Sequence, residues 1–400
     1  MSGLPPQIFQ DPLDFLEAIC EALELTETQR LSAERSYAAV GEWFNRDDSS
    51  IAFLNPVIYP QGSIALGTTV KPLHRSDFDV DLICQLDVGW SISAQDLFLL
   101  VERELQAHGT YRKMLSRKNR CIRMNYEPDY HLDVTPAKPN WTMGGTHILV
   151  PDRELKVLKD SNPKGYVAFF KGIAQMPPKI RHLVMLANEA RVSNKAVVEP
   201  LPQETTFEKK ALQRIVQILK RHRDLYFADN PMLAVISVII TTLAAKSYQR
   251  VVSHEFDSLT DFVEAVVRDI PNGVEKRETA SGIEWWIPNP SSPSENFAEK
   301  WNASPEKKQA FDAWHVAVLS ALDEVMKPKT PGLHALAANN SVLLGERLVK
   351  RVLANHGKKV LSLQNTGQIA VGASSIGLSV TSPTKAVVGT TVRPNTYFGS

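Results

Sequence analysis

Cysteine is scarce. Cys20, Cys84 and Cys121 are the only three in 400 residues, lie far apart and form no C-x-x-C pair. This argues against a disulfide-stapled secreted domain and a structural zinc, and it suits a reducing compartment. None of the ten histidines falls in an H-E-x-x-H or Cys/His cluster, which also points away from zinc. Long apolar runs are missing. The longest, Met232–Ala245, is about 14 residues and includes Ser237, Thr241 and Thr242, whereas a membrane span needs roughly 20, so a buried helix is expected there. Met1–Gln10 has no basic start leading into an apolar stretch, so no secretory signal is expected and the expected location is the cytoplasm. Charge of one sign is also lacking. Forty-five Lys and Arg against forty-four Asp and Glu leave a net charge of +1, too little to draw nucleic acid or anionic lipid to the whole surface.

What is present suffices for two packed lobes, since 43% of the residues are hydrophobic. Asp11 and Pro12 read as an N-cap and first-turn proline for a helix reaching about Leu25, and Thr26 with Gln29 forms a capping box for a second. These N-terminal helices, residues 1–50, are expected to brace a core at 51–200. There the period changes to short β-rich runs, Phe78–Leu86, Cys121–Tyr126 and His131–Val134, with a helix near Ser93–His108. Residues 201–357 read as a helical lobe containing Phe207–Phe227, Met232–Tyr248, Phe256–Arg268 and Glu306–Met326. Pro271–Ser304, rich in Pro, Ser and Asn, reads as an insertion of no legible purpose. Ser341–His356 suggests a helix capped by Gly357. Residues 358–400 read as a flexible tail, because 360–400 carry no Asp or Glu and no pattern able to cover a core.

The chemistry is concentrated between residues 59 and 135. Residues two apart on a strand share a face, so Asp77, Asp79 and Asp81 point one way while Phe78, Val80 and Leu82 point into the core. Crowded carboxylates repel, and a divalent cation keeps them ionised. In Tyr130–Val134, Leu132 and Val134 face the core and Asp133 faces the other way, able to meet Asp79 and Asp81 if the strands are neighbours. Such a set can hold two metal ions about 4 Å apart for phosphoryl transfer. A lone D-x-D more often marks a solvated strand edge. Here Gly62 and Ser63 lie about 16 residues upstream, where a turn lets backbone N–H groups and the Ser63 hydroxyl hold a triphosphate.

Gly62-Ser63, Asp79-Val80-Asp81 and Asp133 resemble the G-S, D-x-D and third-Asp pattern of the polymerase-beta-like nucleotidyltransferases. Pro60-Gln61-Gly62-Ser63, Gly67–Pro72, Asp79–Leu82 and Leu132–Ala137 resemble, within that superfamily, the bacterial cGAS/DncV-like nucleotidyltransferases (CD-NTases), over roughly residues 10–355. The resemblance implies an α+β, two-lobed fold with a mixed-sheet catalytic lobe, a helical C-terminal lobe and the active site in the cleft between them. It implies catalysis at Asp79, Asp81 and Asp133 with two magnesium ions, manganese substituting, and nucleotide binding by Gln61, Gly62, Ser63, Lys220 and Ser237. Without the family, Lys220 reads as a solvated lysine at the edge of the Leu212, Ile215, Val216 and Leu219 stripe, and Ser237 as a helix serine bonded to its own backbone.

Enzymes of this kind join nucleoside triphosphates into cyclic di- or trinucleotides that activate an effector in antiphage operons (CBASS). Some are conjugated through the C-terminus by a ubiquitin-transfer-like partner, to which a tail ending Asn395–Ser400 would give access. Two rivals stay open: a transferase with a macromolecular acceptor, such as a tRNA end or a protein, and a catalytically silent nucleotide-binding scaffold. The basic run of Arg112, Lys113, Arg117, Lys118, Arg120 and Arg123 reads as a solvated hairpin ahead of a phosphate or RNA contact. Nothing resembles the zinc insertion of the animal DNA sensors, so activation by DNA is not expected.

Overall fold

A computed structural model describes residues 12–73, 78–126, 130–152, 154, 156–181, 210–280, 282–326, 333–365, 369–372, 378–380 and 389–391. The chain forms two compact units, Leu23–Leu319 and Met1–Ala22 with Ser320–Ser400. Helix α1 (Pro12–Leu23) buries Phe15, Leu16 and Ile19. Helix α2 (Glu27–Asn45) starts at the anticipated capping box, with the Gln29 amide donating to Thr26 Oγ1 at 3.2 Å and Gln29 Oε1 accepting from the Thr26 amide at 3.0 Å.

The larger unit is built on a seven-stranded mixed sheet. Its elements are β1 (Val57–Pro60), α3 (Gly62–Leu66), β2 (Phe78–Gln85), α4 (Ala94–Ala107), β3 (Leu115–Arg117), β4 (Ile122–Tyr126), β5 (Tyr130–Pro139), β6 (Ile148–Asp152) and β7 (Val157–Ser161). The order is β1-β2-β5-β4-β3, with β6 joining β5 and β7 joining β6; only β2 and β5 run parallel. One face buries Val80, Leu82, Ile122, Met124, Leu132 and Val134 against Val40 and Phe44 of α2 and Leu97, Val101 and Leu105 of α4. Each such side chain contributes roughly 1.5–3 kcal/mol, so the pleat is fixed and the alternate residues are forced onto the opposite face.

The chain continues through α5 (Pro163–Ala174), β8 (Lys179–Ile180), α6 (Ala211–Tyr226), α7 (Ser237–Val251), β9 (Glu255–Phe256) and α8 (Leu259–Asp269). Then come β10 (Glu275–Thr279), β11 (Gly282–Trp286), β12 (Pro288–Asn289), β13 (Ser292–Asn296), α9 (Glu299–Ala303) and α10 (Pro305–Met326). The region is helical as expected, but two helix starts differ. Pro231–Leu233 makes a single 3-10 turn and the chain extends through Val235 and Ile236, β-branched residues that suit extended backbone, so the helix begins at Ser237 rather than Met232. Phe256 pairs with Ile180 in a short parallel sheet, and the following helix starts where the Ser258 hydroxyl caps the Asp261 amide. The stretch read as an insertion forms two small hairpins, β10–β11 and β12–β13.

The smaller unit contains α11 (Leu333–Leu344) and α12 (Glu346–Asn365), and Arg351 of α12 donates to the Ala22 carbonyl at 3.1 Å. Helix α12 runs straight through Gly357, which is therefore no C-cap; a Cβ there would meet nothing within 4 Å. Where the sequence suggests only tail, β14 (Ile369–Gly372), β15 (Leu378–Val380) and β16 (Gly389–Thr391) form an antiparallel sheet. Met1–Gln10, Asp77, the start of the expected Phe207–Phe227 helix and Asn395–Ser400 lie outside the described residues. No described helix is long and apolar enough to cross a membrane.

Candidate active site

The register of the sheet assembles the carboxylates. Asp81 on β2 pairs with Asp133 on β5, and Asp133 pairs in turn with Arg123 on β4, so the three stand in a row on the face opposite the apolar core. Asp79 is one step along β2, opposite His131. Arg123 donates from Nε and Nη2 to the two oxygens of Asp133, both at 2.8 Å, and its Nη2 lies 3.0 Å from Asp79 Oδ1. Arg123 thus corrects the reading of its segment as a solvated hairpin. The hairpin exists, but Ile122 and Met124 are buried on the core face and drive Arg123 onto the acidic face. Arg117 and Arg120 are also paired, with Glu102 and Asp152.

Burial pushes the Asp81 carboxyl up to about 7, and neighbouring Asp133 and Asp79 add to the rise while Arg123 and Lys220 oppose it. A carboxylate held this high lacks countercharge. The donor set is all hard oxygen, so these residues fit a divalent cation such as magnesium. As they stand, with Arg123 spanning Asp133 and Asp79, no three His, Cys, Asp or Glu side chains among the described residues converge tightly enough to hold a metal ion.

Beside the carboxylates, the Gln61 amide donates to the Asp81 carbonyl at 2.8 Å and β1 turns into α3. Gly62 makes the turn at φ +62°, and a Cβ there would stand 2.4 Å from Asp81 Oδ2. Only glycine lets the backbone come this close to the acid. The loop after α3 is stitched to α6 by side chains on one helical face: Gln213 Nε2 donates to Leu66 O at 2.9 Å and Gln217 Nε2 to Thr69 O at 2.9 Å. One turn further along the same face, Lys220 Nζ donates to Thr68 Oγ1 at 3.0 Å. Lys220 is buried, which overturns its reading as a solvated lysine.

Ser237 opens α7, so its hydroxyl is not bonded back into a preceding turn as a mid-helix serine would be. Instead Arg223 donates to the Val235 carbonyl at 2.6 Å and holds two nitrogens 3.4 Å from Ser237 Oγ. The N-terminal end of a 15-residue helix, with its unpaired amides and positive dipole end, favours anions.

A cavity of about 400 Å³ is lined by Gln61, Gly62, Ser63, Asp79, Asp81, Lys220 and Ser237 together. Asp133 does not line it and sits behind, clamped by Arg123. Further lining comes from Asn162 and Tyr166 at the start of α5, in the segment Asn162-Pro163-Lys164-Gly165-Tyr166 that also resembles the family, and from Asn289, Glu295 and Phe297 of the insertion, to which sequence reasoning assigned no role. The Asn162-Pro163 cap-and-proline signature also marks the start of α5, whereas no signal marks the three residues of the insertion. A larger cavity, about 660 Å³, lies on the apolar face of β2 against α2 and brings together neither the carboxylates nor Lys220.

Residues 13–173 match the family described as Second Messenger Oligonucleotide or Dinucleotide Synthetase domain. Over 300 residues, 74% of this chain and 75% of the other, the protein is 32% identical to the c-di-GMP synthase of Roseivirga ehrenbergii. It is 24% identical over 324 residues to the cyclic dinucleotide synthase CdnG of Bradyrhizobium diazoefficiens, covering 77% of this chain and 74% of that one. The solved structure of the Bradyrhizobium diazoefficiens CD-NTase CdnG in complex with GTP has the same fold, with a TM-score of 0.65 at 20% identity over 88% of this chain and 100% of that one. The chain belongs to the CD-NTases, the bacterial cGAS/DncV-like nucleotidyltransferases, and is an enzyme of that class.

Proposed function

We propose that the protein joins nucleoside triphosphates into a cyclic dinucleotide, with loss of pyrophosphate, as a second messenger in antiphage defence. One observation carries this reading: the acidic pair Asp79 and Asp81, the Gly62-Ser63 turn, Lys220 and the start of α7 share one cavity. The names of the two relatives support a dinucleotide product, and the GTP in the CdnG structure supports guanosine triphosphate as a substrate.

Asp79, Asp81 and Asp133 would hold two magnesium ions, manganese substituting, whose bound charge offsets that of the triphosphate and polarises the reacting oxygens. Ser63, Lys220 and the amides opening α7 hold the anionic tail of the donor. The acceptor's ribose hydroxyl attacks the α-phosphorus; its oxygen forms the new phosphodiester bond, the bond to pyrophosphate breaks, and the hydroxyl proton passes to solvent. In a second round the remaining triphosphate of the linear product becomes the donor and the ring closes. Fixed groups supply positioning and electrostatic stabilisation, the main currency of phosphoryl transfer.

The effector that reads the product and a ubiquitin-transfer-like enzyme acting on the C-terminus are the partners this function calls for. Intact-mass measurement after co-expression with neighbouring genes tests the second, and an unmodified terminus throughout refutes it. The synthase reading is tested by incubating the protein with magnesium and four radiolabelled ribonucleoside triphosphates, followed by phosphatase. Phosphatase-resistant label, absent with Asp79→Asn, is expected; its absence with the wild type overturns the reading.

A further inference from the structure

The insertion supplies part of the cavity wall through Asn289, Glu295 and Phe297, and its β12–β13 hairpin is tied to the catalytic core rather than merely lying beside it. Asn162, buried at the cap of α5, donates from Nδ2 to the Ser291 carbonyl at 3.1 Å, and the Ser291 hydroxyl lies 3.0 Å from the Asn162 carbonyl. Ser292 donates to Asp160 Oδ2 at 2.8 Å. These bonds fix where the hairpin stands relative to the sheet whose strand β2 carries Asp79 and Asp81.

Within the hairpin the orientation of one amide is dictated. Asn289 is 5% exposed, and its Oδ1 accepts from the Ser291 amide at 2.9 Å with the Ser291 hydroxyl 3.0 Å away. Its Nδ2 therefore points the other way and donates to Glu295 Oε2 at 2.8 Å. Glu295 is thus held as an oriented acceptor lining the cavity, which Phe297, two residues further on, also lines. The rings of Phe297 and Tyr166 meet edge-on with centroids 6.4 Å apart, and Tyr166 is itself pinned by a 2.7 Å bond between its hydroxyl and Thr242 Oγ1.

We propose that Glu295, positioned by Asn289 and flanked by Phe297, reads the Watson–Crick edge of a guanine base. The proposal rests on the reading of this cavity as a nucleotide site. A carboxylate is repelled by a triphosphate, so Glu295 belongs to the part of the cavity that meets the uncharged end of the nucleotide. Guanine alone among the four bases offers two adjacent donors on that edge, N1–H and the N2 amino group, matching an acceptor-only carboxylate. Adenine and cytosine place a ring acceptor beside the amino group, and uracil flanks its single N–H with carbonyls. An aromatic face beside the acceptor suits a stacked base.

The test is equilibrium binding of unreactive α,β-methylene analogues of GTP, ATP and inosine triphosphate, which lacks only the N2 amino group, to the full-length protein with magnesium. Wild type is expected to bind the GTP analogue about tenfold or more tighter than either of the others, the discrimination a well-placed polar pair supplies. Glu295→Gln, whose amide both donates and accepts, is expected to erase the guanine preference and tighten the ATP analogue. Asn289→Ala is expected to narrow the preference with Glu295 intact. Equal wild-type affinity for the GTP and inosine analogues overturns the proposal, and needs no variant. So does a Glu295→Gln protein that keeps its base preference while losing discrimination against 2′- or 3′-deoxy-GTP, which would make Glu295 a ribose contact. Failure of the synthase reading itself looks different: no phosphatase-resistant product from wild type, whatever the base preference.

Discussion

Replacing Asp81 by Asn reports directly on the electrostatics of the carboxylate row. The folded protein holds this group near 7 against an ordinary value of 3.8, a rise of roughly three units. At about 1.4 kcal/mol per unit that is on the order of 4 kcal/mol. The sign follows from which state binds the proton more tightly. Because the folded-state value is the raised one, the stabilisation is fully present below pH 4 and is lost as pH rises through 7. Metal-free wild type should therefore lose up to that amount relative to Asp81→Asn between pH 4 and pH 8, while the variant, which cannot ionise there, keeps a flat contribution. Buried His222 runs the other way: its imidazole is held down to about 4, so stability is lost as pH falls from 6.5. Taking the difference between the two proteins cancels it. The assay is urea unfolding in chelator across that pH range, repeated with magnesium, which should narrow the gap at pH 8. A difference curve that stays level with pH in the metal-free protein would refute the account of Asp81 as a buried acid short of countercharge.

Other changes test other parts of the site. Gly62→Ala forces a Cβ to within 2.4 Å of Asp81 Oδ2 at a φ of +62°, and should destabilise by about 1–3 kcal/mol and reduce synthesis about 100-fold, read by denaturation and product formation. Arg123→Leu removes a bidentate partner from buried Asp133 and should cost metal-free protein on the order of 2–3 kcal/mol, part of it recovered by magnesium in a melting experiment. Lys220→Met should raise the dissociation constant for triphosphate more than tenfold while circular dichroism stays unchanged; equal affinity would remove Lys220 from the tail-binding set. Gly357→Ala, in the middle of α12 with open space around its Cβ, should stabilise by about 0.5–1 kcal/mol, whereas a left-handed C-cap there would make the same change destabilising.

Three of the seven strands, β2, β4 and β5, were legible because apolar residues alternate around their polar ones: Val80 and Leu82, Leu132 and Val134 are buried, and the acids between them are left on one face. That Asp81 and Asp133 are direct neighbours needed the register, which no single strand declares. Arg123 was missed because a run of six basic residues hid the one whose flanking Ile122 and Met124 turn it inward. The start of α7 was misplaced because the apolar content of 232–236 resembles the helix that follows, although the backbone there leaves a 3-10 turn and extends before Ser237. Gly357 misled because an isolated glycine near a charge-poor segment reads as an end, while tertiary context carries the helix on for two more turns. The wall supplied by Asn289 and Glu295 was illegible in principle, since it depends on a contact between Asn162 and Ser291 separated by 129 residues.

The arrangement of Arg123 and Lys220 around the three aspartates also bears on the order of assembly. Three aspartates face two cationic side chains, so the free site carries part of its own countercharge before any ion or nucleotide arrives. An incoming triphosphate carries several negative charges and shifts that balance at once, drawing on the same two cations that quiet the carboxylates. Cation and nucleotide are then thermodynamically linked ligands: each tightens the other by an equal factor, whichever arrives first.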